Sequence, residues 1–255
     1  MTVSRKSGFD RADSVWQDSA VAASYRKTRS GIPFADVHFD IVNQIIDAHG
    51  LDPSRVLDVG ARDGFATASL LATHQIDEAV LVDFSQPMLD AAKRKFRGVT
   101  GSVTCAWADL QESNWRTVAE VNGPFDLGIS RFAIHHLSDA RKRALYTEIF
   151  ELLRPDGLFI QIEHVKSHSA VYERAFYTSL VDGVFRVESG ARSRAEILAS
   201  YVDSGERAAN ILVPVEDQLR WMRQSGFADV DCLFKAFELA VFAGRKPIPG
   251  SSLNA

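Results

Sequence analysis

The residues able to do chemistry stand where apolar runs end. Val56-Leu57-Asp58-Val59-Gly60-Ala61-Arg62-Asp63-Gly64 reads as a buried strand, a glycine-bearing turn and then a helix through Phe65 to Ala72. Glycine at 60 lets a ligand approach the backbone, and glycine at 64 lets the helix pack closely on the strand. Taken alone, the turn serves equally well as an ordinary strand-to-helix connection. A second apolar run, Ala79-Val80-Leu81-Val82, ends in Asp83, 19 residues after Gly64. A carboxylate at that strand tip can accept from both hydroxyls of a ribose lying across the sheet. The competing role, helix N-cap, fits Ser85 better, because Ser85 immediately precedes the helix that Pro87 opens. A third acid follows a third run in Trp107-Ala108-Asp109-Leu110. Asp109 is placed either to accept from the amino group of an adenine, with Leu110 beside it, or to sit as a plain loop residue.

Two further strand ends carry bases. Ile129-Ser130-Arg131-Phe132-Ala133-Ile134-His135-His136-Leu137 puts a histidine pair at the edge where a switch-point fold does its chemistry. Such a pair suits proton abstraction from a hydroxyl, amine or thiol, with one of the two rings as readily structural. Adjacent residues rarely point at one ion and no third ligand is apparent, so no metal is expected. Glu163-His164 closes the next run and adds a second acid and base. The candidate catalytic residues are therefore His135, His136 and His164.

Positioning these groups requires strands alternating with helices. Five β-like segments, Arg55 to Val59, Ala79 to Asp83, Val103 to Trp107, Phe125 to Ser130 and Leu158 to Glu163, are separated by helical stretches, which predicts parallel strands with right-handed crossovers. Arg154-Pro155-Asp156-Gly157 reads as a turn that stops the helix from Asp139 and marks the start of the fifth strand. Residues 165–213 turn helical, an insertion expected to fold over the carboxyl edge and shape an acceptor pocket. Val230 to Phe234 and Leu239 to Arg245 then form an antiparallel closing pair, joined by a turn at 234–238 with no further role expected. The fold class is α/β: a doubly wound, Rossmann-like, seven-stranded sheet, mostly parallel, with an antiparallel C-terminal strand and a helical lid. The expected divisions are an N-terminal lid over 1–30, a core over 31–164, the insertion, a C-terminal completion over 214–246 and a disordered tail over 247–255.

Composition narrows the partners. The 255 residues are 46% apolar and 24% charged, enough for one large α/β domain. A net charge of -4 gives no general attraction to phosphate backbones or anionic lipid. Arg141-Lys142-Arg143 reads as a solvated helix face, and Arg186, Arg192 and Arg194 as surface residues or as a bias toward an anionic acceptor. Cys105 and Cys232 lie far apart in apolar, strand-like runs, as buried reduced thiols would. With no apolar run long enough to span a bilayer and no secretory h-region, a cytoplasmic location is expected.

In this order the motifs resemble the class I S-adenosylmethionine-dependent methyltransferases, in particular their small-molecule members. The match runs through Val56 to Gly64, Leu81 to Met88, Ala108 to Leu110, Phe125 to Leu137, Leu152 to Gly157 and the hairpin at Val230 to Arg245. The resemblance implies S-adenosylmethionine as cofactor, with Gly60 and Ala61 near its methionine part, Asp83 on the ribose, Phe84 and Met88 flanking the adenine, Asp109 and Leu110 at its amino group, and Ser130 at the strand tip beside it. Tyr25-Arg26-Lys27-Thr28-Arg29 resembles an element of those families that closes over the cofactor carboxylate, through Tyr25 and Arg29. One position departs: Arg62 stands where the family turn usually has glycine. The implied activity is methyl transfer to a small-molecule nucleophile, with a non-catalytic cofactor-binding module and a tRNA- or cofactor-modifying enzyme as alternatives. Neither membrane nor nucleic acid is an expected partner, and a homodimer is one assembly the sequence leaves open. A nicotinamide dehydrogenase is disfavoured by the missing three-glycine pattern.

Overall fold

The computed structural model describes residues 11–99 and 101–250. Of the expected lid over 1–30 the part before residue 11, and of the expected tail over 247–255 the part beyond 250, lie outside the described residues.

Seven strands form one sheet: β1 Arg55–Val59, β2 Glu78–Asp83, β3 Ser102–Trp107, β4 Phe125–Arg131, β5 Leu153–His164, β6 Ala228–Ala236 and β7 Leu239–Arg245. Their spatial order is β3-β2-β1-β4-β5-β7-β6. The first five pair in parallel, and β7 runs antiparallel between β5 and β6. The strand order reverses between β1 and β4, which leaves a crevice at their carboxyl ends. The helices are α1 Ser19–Thr28, α2 Ala35–Ala48, α3 Phe65–Leu71, α4 Gln86–Lys95, α5 Thr117–Glu120 and α6 Asp139–Leu152. After β5 come α7 Ala170–Val187, α8 Arg194–Val202, α9 Gly205–Ala208 and α10 Val215–Gln224.

Alternation along the strands sends neighbouring residues into two cores. Val56, Leu81, Ile129 and Ile160 pack on one face, while Leu57, Val82, Phe159 and Phe242 pack on the other. Both faces are covered, so the central strands read as continuous apolar runs, which made them legible.

Several expectations need correction. Arg154-Pro155-Asp156-Gly157 does not bound the fifth strand but bulges within it: pairing with β4 steps from Phe125 opposite Leu153 to Leu127 opposite Leu158. Asp156 takes φ 69°, its N–H donates to the Lys246 carbonyl, and the Lys246 N–H donates to Gly157. The polar turn is thus absorbed by the end of β7. The 141–143 run is a solvated face only at Arg143. Lys142 is buried and donates to the Ile211 carbonyl, and Arg141 forks onto Glu148 at 2.9 and 2.6 Å. Cys105 and Cys232 are free but half-buried, because β3 and β6 are the edge strands. The 234–238 turn does more than join strands: Glu238 is buried and takes a bond from His164.

The helical insertion packs back onto the N-terminal segment at one close approach. A Cβ on Gly183 of α7 would stand 2.0 Å from the Gly31 carbonyl oxygen, in the 3₁₀ turn Arg29–Gly31 that ends α1. Gly183→Ala returns about 1 kcal/mol of helix propensity but forces two backbones apart, and no rotamer relieves a clash with a carbonyl. The expected net loss is roughly 1–3 kcal/mol, a fall of roughly 3–10 °C in melting temperature by calorimetry. An unchanged melting temperature would mean that the two segments are not in contact.

Candidate active site

The strand tips at the switch point form a cleft lined by Gly60, Asp83, Phe84, Met88, Asp109 and Leu110, all of them residues that the sequence singled out. Gly60 has φ 70°, and a Cβ there would lie 2.2 Å from the Ala133 Cβ. Both Gly60 and Ala61 give their N–H groups to the Val82 carbonyl, at 2.8 and 3.0 Å, so the turn is wound onto β2. Asp83 takes one N–H on each oxygen, from Arg62 at 2.7 Å and Ser85 at 2.7 Å. Each oxygen keeps a lone pair for a further donor, as two ribose hydroxyls would need. Burial pushes the Asp83 carboxyl up, against those N–H bonds and the charge of Arg62. Ser85 caps α4, accepting from the Met88 N–H, and Ser130 bonds the Val59 carbonyl, which locks β4 to β1 at the crevice.

Beneath the turn lie carboxylate oxygens without partners. Asp58 is buried, with one oxygen taken by Thr67 and Oδ1 unpaired; burial raises it to about 7. Asp63 is pushed up by burial, but Lys95 and Arg29 outweigh this and hold it below the ordinary range, and its Oδ1 is also unpaired. Arg29 therefore meets Asp63 at 2.5 Å in this structure, with its guanidinium over the Phe65 ring.

The N-terminal segment covers the cleft. A 3₁₀ turn at Ala12–Gln17 precedes α1, whose N-cap is Asp18. Trp16 sends its carbonyl to the Ser85 hydroxyl and its indole N–H to His136 Nε2 at 3.1 Å. Since His136 Nε2 accepts, Nδ1 carries the proton and donates to the Ala209 carbonyl at 3.1 Å. Burial, then His135 and Arg62, hold His136 well below its ordinary value, in keeping with that neutral tautomer. His136 thus joins lid, core and insertion, and has no free nitrogen for catalysis. Arg11 places a planar guanidinium on Asp109, at 2.6 and 3.3 Å, and 5.6 Å from the Phe84 ring.

A second cleft adjoins the first and shares Trp16, Arg62, Phe132 and His136 with it. Its cavity volume is about 120 Å³, with Phe176, Tyr177 and Leu180 of α7, Tyr201 of α8 and Asn210 as its outer wall. His135 lines it. Its Nδ1 lies 2.5 Å from Glu163 Oε1, and its other nitrogen, Nε2, makes no hydrogen bond among the described residues. Glu163 is fully buried and also takes the His164 N–H and the Gln161 amide. Burial pushes His135 well down and Glu163 up, which brings their proton affinities together across this short contact. His164 bonds Glu238 at 2.9 Å, and its ring packs 5.1 Å from that of Phe176.

The structure thus brings His135, His136 and His164 to one cleft, and Tyr25 with them. It places Arg186 on the surface, and pairs Arg192 with Glu188 and Arg194 with Asp182, away from this cleft. Sequence reasoning missed three contributors. Trp16 had a signal, a large aromatic in a polar segment. Arg131 also had one, a charge closing an apolar run; it is buried against Phe65 and Phe132 and meets the Tyr25 hydroxyl at 3.2 Å. His38 had none: it lies mid-helix in α2, fully buried with both ring nitrogens unpaired. Among the described residues no cluster of metal-ligating side chains occurs, and no helix is long and apolar enough to cross a membrane.

Comparison with known proteins adds the following. Residues 56–157 match a family model described as a methyltransferase domain. The chain is 24% identical over 196 residues to a carboxy-S-adenosyl-L-methionine synthase of Helicobacter hepaticus, covering 75% of each. It is 28% identical over 190 residues to the protein of that name from Sulfurimonas denitrificans, covering 72% of this chain and 75% of the relative. Among solved structures it resembles human N-acetylserotonin methyltransferase in complex with SAM, with a TM-score of 0.60 at 12% identity. That match covers 95% of this chain but only 60% of the human one, and it concerns the fold.

The buried imidazoles make a pH prediction. His38 is pushed down to about 4, first by burial and then by Arg131. Its folded value lies below its unfolded one, so its contribution is intact above pH 6.5 and is lost as pH falls toward 4. Asp58, raised to about 7, acts in the opposite direction over the same range, so the comparison must be made between variants. From pH 7 to pH 5, His38→Leu should gain about 2 kcal/mol on the wild type in urea unfolding. Parallel stability curves would show that His38 is not buried as a neutral ring.

Proposed function

We propose that the chain is a class I S-adenosylmethionine-dependent methyltransferase, a reading supported by the match of residues 56–157 to a methyltransferase domain, and that it transfers the methyl group to a small-molecule oxygen, nitrogen or carbon nucleophile held in the His135 cleft. The observation that carries this reading is the second cleft itself. It is walled by the insertion, lined mostly by apolar side chains and shares four residues with the cofactor cleft. A nucleic acid finds no comparable surface on a chain of net charge -4.

The residues present fit the cofactor. Asp83 has lone pairs for the ribose, the unpaired oxygens of Asp58 and Asp63 suit an ammonium, and Phe84 with Met88 offers flat apolar walls. We assign Gly60 and Ala61 to the methionine side and Asp109 and Leu110 to the nucleoside side, with Ser130, buried and bonded to the Val59 carbonyl, holding the crevice between β1 and β4 beneath the cofactor. Tyr25 closes the methionine end, with Arg29 as its partner when that residue exchanges Asp63 for the ligand. When bound, S-adenosylmethionine supplies a methyl group on a sulfonium, so that displacement leaves a neutral thioether. The protein's part is alignment and proton removal. Holding nucleophile and methyl carbon in line provides effective molarities of about 10⁵–10⁸ M. His135 Nε2 takes the proton lost by the nucleophile, and Glu163 holds the ring for that step and stabilises the imidazolium formed. His164, bonded to Glu238, lies one ring away as a second acceptor site.

A second reading takes the cofactor itself as the modified molecule, the activity carried by the name of the relatives from Helicobacter hepaticus and Sulfurimonas denitrificans. It is favoured by the cationic lining of the cleft beside the methyl position, which suits a carboxylated group.

Asp83→Asn should weaken S-adenosylhomocysteine binding roughly tenfold to hundredfold by calorimetry, the value of charge-assisted bonds to two hydroxyls. His135→Gln should lower kcat by roughly 10²–10⁴ with that binding held within threefold. Mass spectrometry of incubations with a panel of phenols, amines and enolisable acids separates the readings. A methylated acceptor supports the first and a carboxylated cofactor the second, while cofactor binding without either product would leave only a binding module.

A further inference from the structure

We propose that Arg62 is the anion-reading residue of the second cleft, and that the acceptor is a planar molecule carrying an oxyanion, a carboxylate or a phosphate. The inference rests on the cofactor and acceptor assignments above and names the chemistry of the acceptor.

Arg62 occupies the position where the family turn usually has glycine, and it adopts φ 53°, a conformation that costs an ordinary side chain. Its guanidinium is held in place by aromatic rings, 4.0 Å from the Trp16 centroid and 3.8 Å from that of Tyr25. It borders both clefts at once. Among the described residues no carboxylate lies within ion-pairing distance of it. Asp83 feels its charge, but takes only the Arg62 backbone N–H and lies on the cofactor side.

The other charges of the second cleft are already matched. Arg29 pairs with Asp63, and Arg207, at the rim, with Glu173 at 3.4 Å. Neither aspartate nor glutamate is among the described residues lining the cleft. The nearest, Glu163 and Glu238, stand behind His135 and His164 and are buried. A fixed, half-buried cation facing a cleft without its own acid is stabilised by a ligand that brings one, and the guanidinium fork matches carboxylate and phosphate oxygens. Phe132, Phe176 and Tyr177 supply flat apolar walls for the rest of such a ligand. An amine-bearing cationic acceptor would meet Arg62 with no acid to offset the repulsion.

The test uses the full chain saturated with S-adenosylhomocysteine and titrated by calorimetry with benzoate, 4-hydroxybenzoate and phenyl phosphate, against benzamide and phenol as neutral analogues. The anionic probes should bind at least tenfold more tightly than the neutral ones, and whichever anion binds best identifies the oxyanion. Arg62→Asn, which tolerates the left-handed backbone, should lose that preference at least tenfold, and Arg62→Lys should recover part of it. Equal binding of benzoate and benzamide, or no binding of any anion, would overturn the proposal. It also fails if Arg62→Asn weakens S-adenosylhomocysteine but not 5′-methylthioadenosine and leaves the anions unaffected, since Arg62 would then serve the cofactor carboxylate. Failure of the wild type to bind S-adenosylhomocysteine would sink the underlying assignment instead, a separate and distinguishable result.

Discussion

One neutral imidazole holds the closed site together. His136 has a single donor and a single acceptor, and it spends the donor on the Ala209 carbonyl and the acceptor on the Trp16 indole. Ala209 follows α9 in the insertion, Trp16 belongs to the N-terminal segment, and His136 itself follows β4 at the switch point. Three parts of the chain, 120 and 73 residues apart along the sequence, therefore meet through one ring. The bonds are worth more here than on a surface, because leaving either partner unpaired in a buried place costs the desolvation of that group. They also fix the tautomer, and so decide that His135, not His136, presents a free nitrogen to the cleft.

The division of labour between the two adjacent histidines follows from what lies behind each ring. His135 has a carboxylate there and a cleft in front, the arrangement that orients a base and steadies its protonated form. Behind Glu163 the polar chain continues through Gln161 to Gln218 and Tyr146, all buried, so the carboxylate is held without solvent. Burial acts on this pair from both sides, lowering the imidazole and raising the carboxyl, which brings their proton affinities together. A base with such a partner can accept a proton without a large structural response.

What was legible in the sequence depended on whether the signal was local. β1 and β7 ran as expected, because continuous apolar strands flanked by turn residues state their own limits. Asp83, Asp109 and the glycine turn were legible for the same reason: each is one strand tip with one chemically specific residue. The bulge at 154–157 was misread because its tie to Lys246 spans the sheet, and the burial of Lys142 because its acceptor, the Ile211 carbonyl, lies in the insertion. Glu238 looked like turn filler for want of any local sign of His164. The orientation of Arg62 was undetermined by sequence, since it depends on Trp16 and Tyr25, more than 35 residues upstream.

The N-terminal segment also bears on how a cofactor enters. Arg11 lays a flat, multiply donating group on Asp109 beside the Phe84 ring, where the amino group of an adenine is assigned. Asp109 cannot serve both at full strength, so entry of the nucleoside requires Arg11 to move or to share the carboxylate. Arg11 has a second acid in Asp13 at 2.9 Å, so it can withdraw without being left uncompensated. Trp16 lines the same cleft and is tied down there through Ser85 and His136, so it bounds the space left for the nucleoside. On the proposed cofactor site Arg11 is thus the residue in competition with the nucleoside, while Trp16 and Tyr25 hold Arg62 between two rings and so shape the second cleft.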